Sequence, residues 1–399
     1  MPIVNYRLVI LTITIFVTLM GVGFVIPFLP IYAQDLGASG FELGAITAGF
    51  SLTMGLVQPF IGSFSDKYGR KWFLVIGLII FTICGVFYAY TTSVSELLIV
   101  RLIQGVGGGF VFPISMAYMG DLAPEEKEGL YMGIFHVAVL GGVGAGPVLG
   151  GLLNDNFGMT AAFFAFAVIS ALATFIAIFF LPESENLTQK DKETSLFSGF
   201  KDIISSGKMQ GLLILRFGVM LAVVPSFIFL PILMTSAFDS SGTEIGIVIT
   251  FRTVIGAILQ LPCGWLADRY SRIFLSSSPM FFMAILLAVM GIAESPLQVG
   301  IIFCLIGAGE AVFMPASSAI ALENGRGTGM GVTMGVMNTA MNLGMFIGSL
   351  LAGLMLDNVG LTLTFIILGI LVVTSALGGL PMLIKNQYEQ KNTTKVKFI

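Results

Sequence analysis

Gly62-Ser-Phe-Ser-Asp66-Lys67-Tyr-Gly69-Arg70-Lys71 is a glycine-punctuated, charged island between two long apolar runs, in a chain where only 10% of residues are charged. Hydrocarbon cannot hold so many charges, since it has no water to solvate them. A second island, Gly264-Trp-Leu-Ala-Asp268-Arg269-Tyr-Ser-Arg272, repeats the Gly, the Asp, the cation after it, the Tyr and the second Arg, 202 residues further on (62 to 264). The same offset carries Glu42 to Glu244, Gln58 to Gln260, Gly105 and Gly107 to Gly307 and Gly309, and Pro113 to Pro315. It also carries Asp121 to Glu323, and GLLNDNFG (151–158) to GLMLDNVG (353–360). One register held over so many segments means an internal duplication.

Working outward, hydrophobic residues make up 56% of the 399-residue chain, which has 49 Gly and 35 Phe. Soluble domains carry roughly 25% charged residues. The apolar runs lie near 8–33, 41–64, 72–91, 96–119, 129–153, 160–181, 210–236, 243–266, 273–292, 297–321, 328–354 and 360–384. Each is long enough for a helix to cross a bilayer, and none alternates as a barrel strand does. The expected fold is an all-α membrane protein of twelve transmembrane helices in two six-helix, parallel pseudo-repeats. The expected divisions are a first half (1–181), a polar linker (182–209), a second half (210–384) and a tail (385–399).

Charge placement orients the spans. With the amino terminus in the cytoplasm, Arg7, Lys67, Arg70, Lys71, Lys127, Lys190, Lys192, Lys201, Lys208, Arg269, Arg272, Arg326 and the tail lysines fall on one side. The opposite loops hold Asp35, Glu42, Glu96, Asp155, Asp239, Glu244, Glu294 and Asp357, without Lys or Arg. The positive-inside rule then puts both termini in the cytoplasm of a multi-pass protein of the cell membrane. Cys84, Cys263 and Cys304 fall inside spans and predict no disulfide framework. The first span is expected to be retained as a helix, being too long for a cleaved signal peptide. Glycine runs such as Gly105 to Gly109 follow no strand and precede no Gly-Lys-Ser/Thr, which argues against nucleotide binding. No nucleophile, base and metal cluster suggests an enzyme, and nothing points to nucleic acid.

The first island resembles the signature loop of the major facilitator superfamily, G-x-x-x-D-[RK]-x-G-R-[RK], through Gly62, Asp66, Lys67, Gly69, Arg70 and Lys71. Arg101-Leu-Ile-Gln104-Gly105-Val-Gly107 is similar to the family's fourth-span motif, in which an Arg precedes a glycine-rich turn. Gly142, Gly146, Pro147, Gly150 and Gly151 resemble the fifth-span motif G-x-x-x-G-P-x-x-G-G, which in this family marks antiporters. The first span, with Gly21, Gly23, Pro27, Pro30 and Tyr32, looks like the opening of twelve-helix drug:proton antiporters. The resemblance covers essentially the whole chain. It implies a monomeric transporter of small molecules and protons in a lipid bilayer, with no cofactor beyond a proton gradient.

It further implies that Asp66 faces the amino end of the eleventh span. Arg70 would reach Asp121, with Asp268, Arg272 and Glu323 as counterparts, and these gating links would close with the cytoplasmic side. Gly142, Gly146 and Gly150 recur every four residues and share a helix face, so packing accounts for them; the resemblance adds a seam that resists proton leak. Of the ionisable residues inside spans, Arg101, His136, Arg216, Arg252 and Glu310, function is the default expectation because intramembrane charge is costly. Glu310 is the only carboxylate deep in a span and replaces Gly108 of the first half. It is therefore the leading proton-coupling candidate, with Arg101, Arg252 and His136 beside it; a fixed Glu310–Arg252 pair is the structural alternative. No carboxylate lies in the apolar core of any first-half span, where many proton-coupled members keep one. Phe24, Phe28, Phe112, Phe135, Phe227, Asn338 and Asn342 are cavity candidates. The favoured function is proton-coupled efflux of hydrophobic or amphipathic compounds by alternating access. Uptake or uniport of a small polar metabolite is the alternative, and a non-transporting membrane receptor a remote one.

Overall fold

The computed structural model describes residues 6–123, 128–184, 203, 205–328 and 330–396. Its elements are α1 (Tyr6–Val25), α2 (Leu29–Asp35), α3 (Gly40–Tyr68), α4 (Lys71–Tyr90), α5 (Val94–Leu122), α6 (Glu128–Phe157), α7 (Met159–Phe180), α8 (Gly207–Phe238), α9 (Gly242–Arg269), α10 (Arg272–Met290), α11 (Pro296–Thr328) and the stretch Met330–Val396. Gly360, with φ 78°, breaks that last stretch into α12 (330–359) and α13 (361–396). Gly158, the repeat mate of Gly360, has φ 80° at the start of α7. Both turns need a conformation open to glycine. Counting α1 with α2, and α12 apart from α13, twelve helical spans cross the expected membrane thickness among the described residues.

The helices descending from the expected outer side begin with matched caps. Ser39 and Glu42 form a reciprocal capping box on α3, with Glu42 Oε2 accepting from Ser39 N at 2.8 Å. Ser241 and Glu244 repeat it on α9, at 3.0 Å. Ser93 and Glu96 cap α5, and Ser295 caps α11 with Gln298 bonded back to Glu294 N. These are the partners a helix end requires for its unpaired N–H groups.

The chain forms two compact units: Met1–Lys190 with Phe227–Val254, and Asp191–Ser226 with Ile255–Ile399. By this grouping the later part of α8 and the first half of α9 lie with the first unit, while residues 185–202 of the expected linker lie outside the described residues. In the first unit α1 packs on α6 and α7, α3 on α5, and α4 on α5 and α7. A Cβ at Gly142 would stand 2.6 Å from Phe16 O, one at Gly146 2.5 Å from Gly23 Cα, and one at Gly150 2.5 Å from Phe24 O. In the second unit Gly344 and Gly348 bring α12 onto α8 in the same way, 2.4 Å from Phe217 O and 2.2 Å from Leu221 O. Close backbone approach of this kind is how helices associate where lipid is as apolar as leucine.

Gly146→Val therefore forces α1 and α6 apart and is expected to cost about 1–3 kcal/mol. Gly133→Ala on the same helix meets nothing within 4 Å and should be neutral or gain about 0.5–1 kcal/mol. Thermal unfolding of the detergent-solubilised protein checks both; equal behaviour of the two variants would show that the seam is loose.

Candidate functional site

The signature island sits where α3 ends and α4 begins. Gly69, φ 103°, makes the turn, and a Cβ there would lie 2.7 Å from the Glu183 carboxyl carbon. Arg70, the residue before α4, has no side-chain cap of its own. Instead Glu183 Oε1, from just past α7, accepts from Arg70 N at 2.6 Å and Lys71 N at 3.0 Å. A carboxylate thus meets the positive end of the α4 dipole. The Arg70 side chain bonds Asp121 Oδ2 at 3.0 Å through Nε and Ser65 Oγ at 2.8 Å through Nη1. Ser184 Oγ donates to the same Asp121 oxygen at 2.8 Å, and Lys71 Nζ reaches Ile178 O at 2.8 Å. Tyr118 donates to Pro182 O.

The expected Arg70–Asp121 link is thus present, inside a cluster that joins α3, α4, α5 and the end of α7. Both partners belong to the first unit, so the link does not depend on the second half. Glu183, Ser65 and Ser184 were absent from the expected site. The side chains of Asp66, Lys67 and Asp268 lie outside the described residues, and with them the expected contact of Asp66.

The second unit repeats half of this cluster. Arg272 pairs with Glu323 and bonds Ala267 O at 3.2 Å, while Lys208 reaches Glu323 at 3.4 Å. Side-chain exposures of 29% and 48% for Arg272 and Glu323, against 12% and 15% for Arg70 and Asp121, make the second pair the wetter and weaker one. Ser271 stands where the first half has Gly69, and its Oγ accepts from Phe274 N. That helix is capped locally, so it needs no distant carboxylate.

The fifth-span motif lies on α6. Besides the glycines facing α1, Gly151 and Pro147 meet the first turns of α9: a Cβ at Gly151 would stand 2.3 Å from Gly242 O, and one at Gly246 2.3 Å from Pro147 O. Thr250 Oγ1 bonds Gly144 O at 2.6 Å, and Asp155 accepts from Gly242 N at 2.8 Å and Thr243 N at 2.7 Å. The first turns of α9 therefore meet α6 by close backbone approach at Gly151 and Gly246, supplemented by the Thr250 and Asp155 hydrogen bonds.

Arg101 is buried on α5, its guanidinium 4.6 Å from the Phe50 ring centre and bonded at 2.7 Å to Gln104 Oε1, which also accepts from Tyr88 at 2.7 Å. Its Nε and the Gln104 Nε2 have no hydrogen-bond partner among the described residues. Arg252 lies 4.0 Å over the Phe227 ring in the first unit, while Glu310 is half-buried on α11 in the second. His136 and its repeat mate Asn338 are both exposed, His136 beside the Phe135 ring. Phe112 and Phe135 line one apolar cavity in the first unit, with Ile15, Val111, Ser115 and Val139. Phe24 and Phe28 do not join them: they are buried core, Phe24 under Gly150. Asn342 is half-buried on α12.

A duplicated six-span unit with charged inter-helix islands and a glycine-packed fifth span defines a polytopic α-helical membrane protein of the two-repeat secondary-transporter class. The family profile of the Major Facilitator Superfamily matches twice, over residues 11–229 and 212–397, once per half. The chain belongs to that superfamily and is a transporter of small molecules. It is 30% identical over 320 residues to the multi-drug resistance efflux pump PmrA homolog of Lactococcus lactis, covering 77% of this chain and 79% of that one. It is 26% identical over 329 residues to the quinolone resistance protein NorA of Staphylococcus aureus, covering 78% and 80%. Its fold is that of a bacterial homolog of the human lysosomal transporter Spinster in an inward-facing, unoccupied conformation, with TM-score 0.80 and 14% identity over 96% of this chain and 98% of the other.

Glu183→Ala leaves the first N–H groups of α4 without their shared acceptor. The loss expected is about 0.5–2 kcal/mol, as for other helix caps, with Ser271→Ala costing a similar amount in the second unit. Unchanged thermal stability of Glu183→Ala would show that water replaces the carboxylate without cost.

Proposed function

We propose that the protein is a proton-coupled efflux antiporter for hydrophobic or amphipathic compounds, working as a monomer in the plasma membrane with both termini in the cytoplasm. The observation that carries the reading is the α6 ladder. Gly142, Gly146 and Gly150 lie against α1, and Pro147 and Gly151 against α9. Contacts this close leave little room for a thread of water along the seam, as exchange of substrate for protons requires. Relatives named for multidrug and quinolone resistance, at 26–30% identity, support efflux over uptake.

In this reading Glu310 takes and releases the proton, since a carboxylate inside a span can change charge where a fixed cation cannot. Arg101, held on Gln104 and Phe50, answers that change by shifting its partners; Arg252 and His136 are the secondary coupling candidates. The Arg70–Asp121–Glu183 cluster keeps α3, α4 and α5 moving as one body during alternating access, with the Arg272–Glu323 pair as its counterpart.

Glu310→Gln is expected to bind a fluorescent lipophilic dye within about twofold of the wild type while losing about tenfold or more of proton-driven dye movement in liposomes. Proton-driven movement at the wild-type rate in that variant would remove Glu310 from the mechanism.

A further inference from the structure

Arg216 lies on α8 in the second unit, 4% exposed. Its Nε bonds Ser317 Oγ at 3.2 Å, its Nη2 Ser318 Oγ at 2.7 Å, and its Nη1 meets Met341 Sδ at 3.5 Å. Among the described residues its partners are thus two hydroxyls and a thioether, with no carboxylate. A buried cation that keeps its charge without a counter-ion is expensive, and in a membrane span such a residue marks a substrate or ion path.

The repeat shows that the scaffold does not require it. Gly142 meets Phe16 O in the first unit and Gly344 meets Phe217 O in the second, so α1 and α8 correspond at an offset of 201 (16 to 217). The mate of Arg216 is then Ile15. Ser317 and Met341, at the offset of 202, match Ser115 and Val139. Ile15, Ser115 and Val139 line the first unit's apolar cavity, where Ser115 Oγ is buried without a partner. At this place one half therefore has an isoleucine beside a gap of about 10 Å³, room for one water at most, and the other has a guanidinium.

The surroundings select the ligand. Nε and Nη2 point at two adjacent hydroxyls in the fork arrangement that suits a planar oxyanion. The hydroxyls can turn to donate, since Ser317 Oγ now donates to Met314 O at 3.0 Å. Met341 supplies a soft apolar wall, and Asn338 lies one turn before it on α12. We propose that Arg216, with Ser317 and Ser318, binds the carboxylate of an amphipathic substrate whose body is apolar. This names the substrate class of the transport reading above and rests on it.

The test uses the full chain in phosphatidylcholine nanodiscs, titrated calorimetrically with 2-naphthoate and with 2-naphthamide, which has the same rings and a neutral head. The wild type should bind naphthoate about tenfold tighter, Arg216→Lys should keep part of the preference, and Arg216→Gln should bring the two within about twofold. Equal binding of both probes by the wild type, or an undiminished preference in Arg216→Gln, overturns the site. If Arg216→Gln does not give monodisperse protein, Ser318→Ala serves: it should reduce the preference about threefold, and an unchanged preference overturns the proposal. Proton-driven dye movement in liposomes is scored separately. No movement with the preference intact sinks the transport reading and supports the site; movement without any preference sinks the site alone.

Discussion

Backbone against backbone, with no Cβ between, is the contact on which the rest of this molecule depends. Helices in lipid gain nothing by hiding leucines from leucine-like solvent, so their association rests on dispersion and close approach. At Gly142, Gly146 and Gly150 on α6, and at Gly344 and Gly348 on α12, a single methyl would meet a carbonyl or Cα at 2.2–2.6 Å. These contacts tie α1 to α6 and α8 to α12 as stiff pairs. Arg216 lies next to Phe217, whose carbonyl Gly344 touches, and Ile15 next to Phe16, whose carbonyl Gly142 touches. Each of these positions thus sits beside a backbone-to-backbone contact between two helices.

The second constraint is the helix end. Each span must satisfy its first N–H groups before it enters hydrocarbon, and acids do this best because they also meet the dipole. Glu42, Glu96 and Glu244 cap α3, α5 and α9, and Asp155 adds a second acceptor set to α9. The acidic character of these loops, read from the sequence as a topology signal, is therefore also a set of caps. On the other side the cation-rich islands leave fewer local acids. There α4 draws Glu183 from beyond α7, while α10 keeps its own Ser271. The carboxylate that serves α4 also fixes the start of the polar stretch leading out of the first half.

Much of this was legible in one dimension. The apolar runs give the twelve spans, the 202-residue offset pairs Gly158 with Gly360, which both take positive φ, and the family resemblance places Asp121 within reach of Arg70. Periodicity reports which residues share a face, but it is silent on what the face meets. Glu183 is 113 positions from Arg70, at the edge of a polar stretch whose bland composition hides one capping carboxylate. Phe24 and Phe28 read as cavity walls because aromatic content cannot distinguish a wall from a core; only the backbone contact under Gly150 separates them. Residues 227–254 group with the first unit because the first turns of α9 pack on Pro147, Gly151 and Asp155, contacts between sequence halves that no repeat predicts.

A duplicated fold separates scaffold from chemistry in a way a single domain cannot. Residues needed for packing are needed twice, since both halves solve the same problem of joining helices in lipid. A group needed once per transport cycle has no reason to be copied. Glu310 stands where Gly108 packs against Phe50 and Met54, and Arg216 where Ile15 lines an apolar hollow. Glu310 and Ser317 are seven residues apart on α11, two turns along one face and about 10 Å in rise. Glu310 and, through its bond to Ser317, the Arg216 guanidinium of α8 thus meet one face of α11 in the second unit, while the equivalent face of α5 carries Gly108, Ser115 and, one further heptad back, Arg101. In the proposed exchange, the charge that a proton cancels and the charge that a substrate brings would both be felt along this one element.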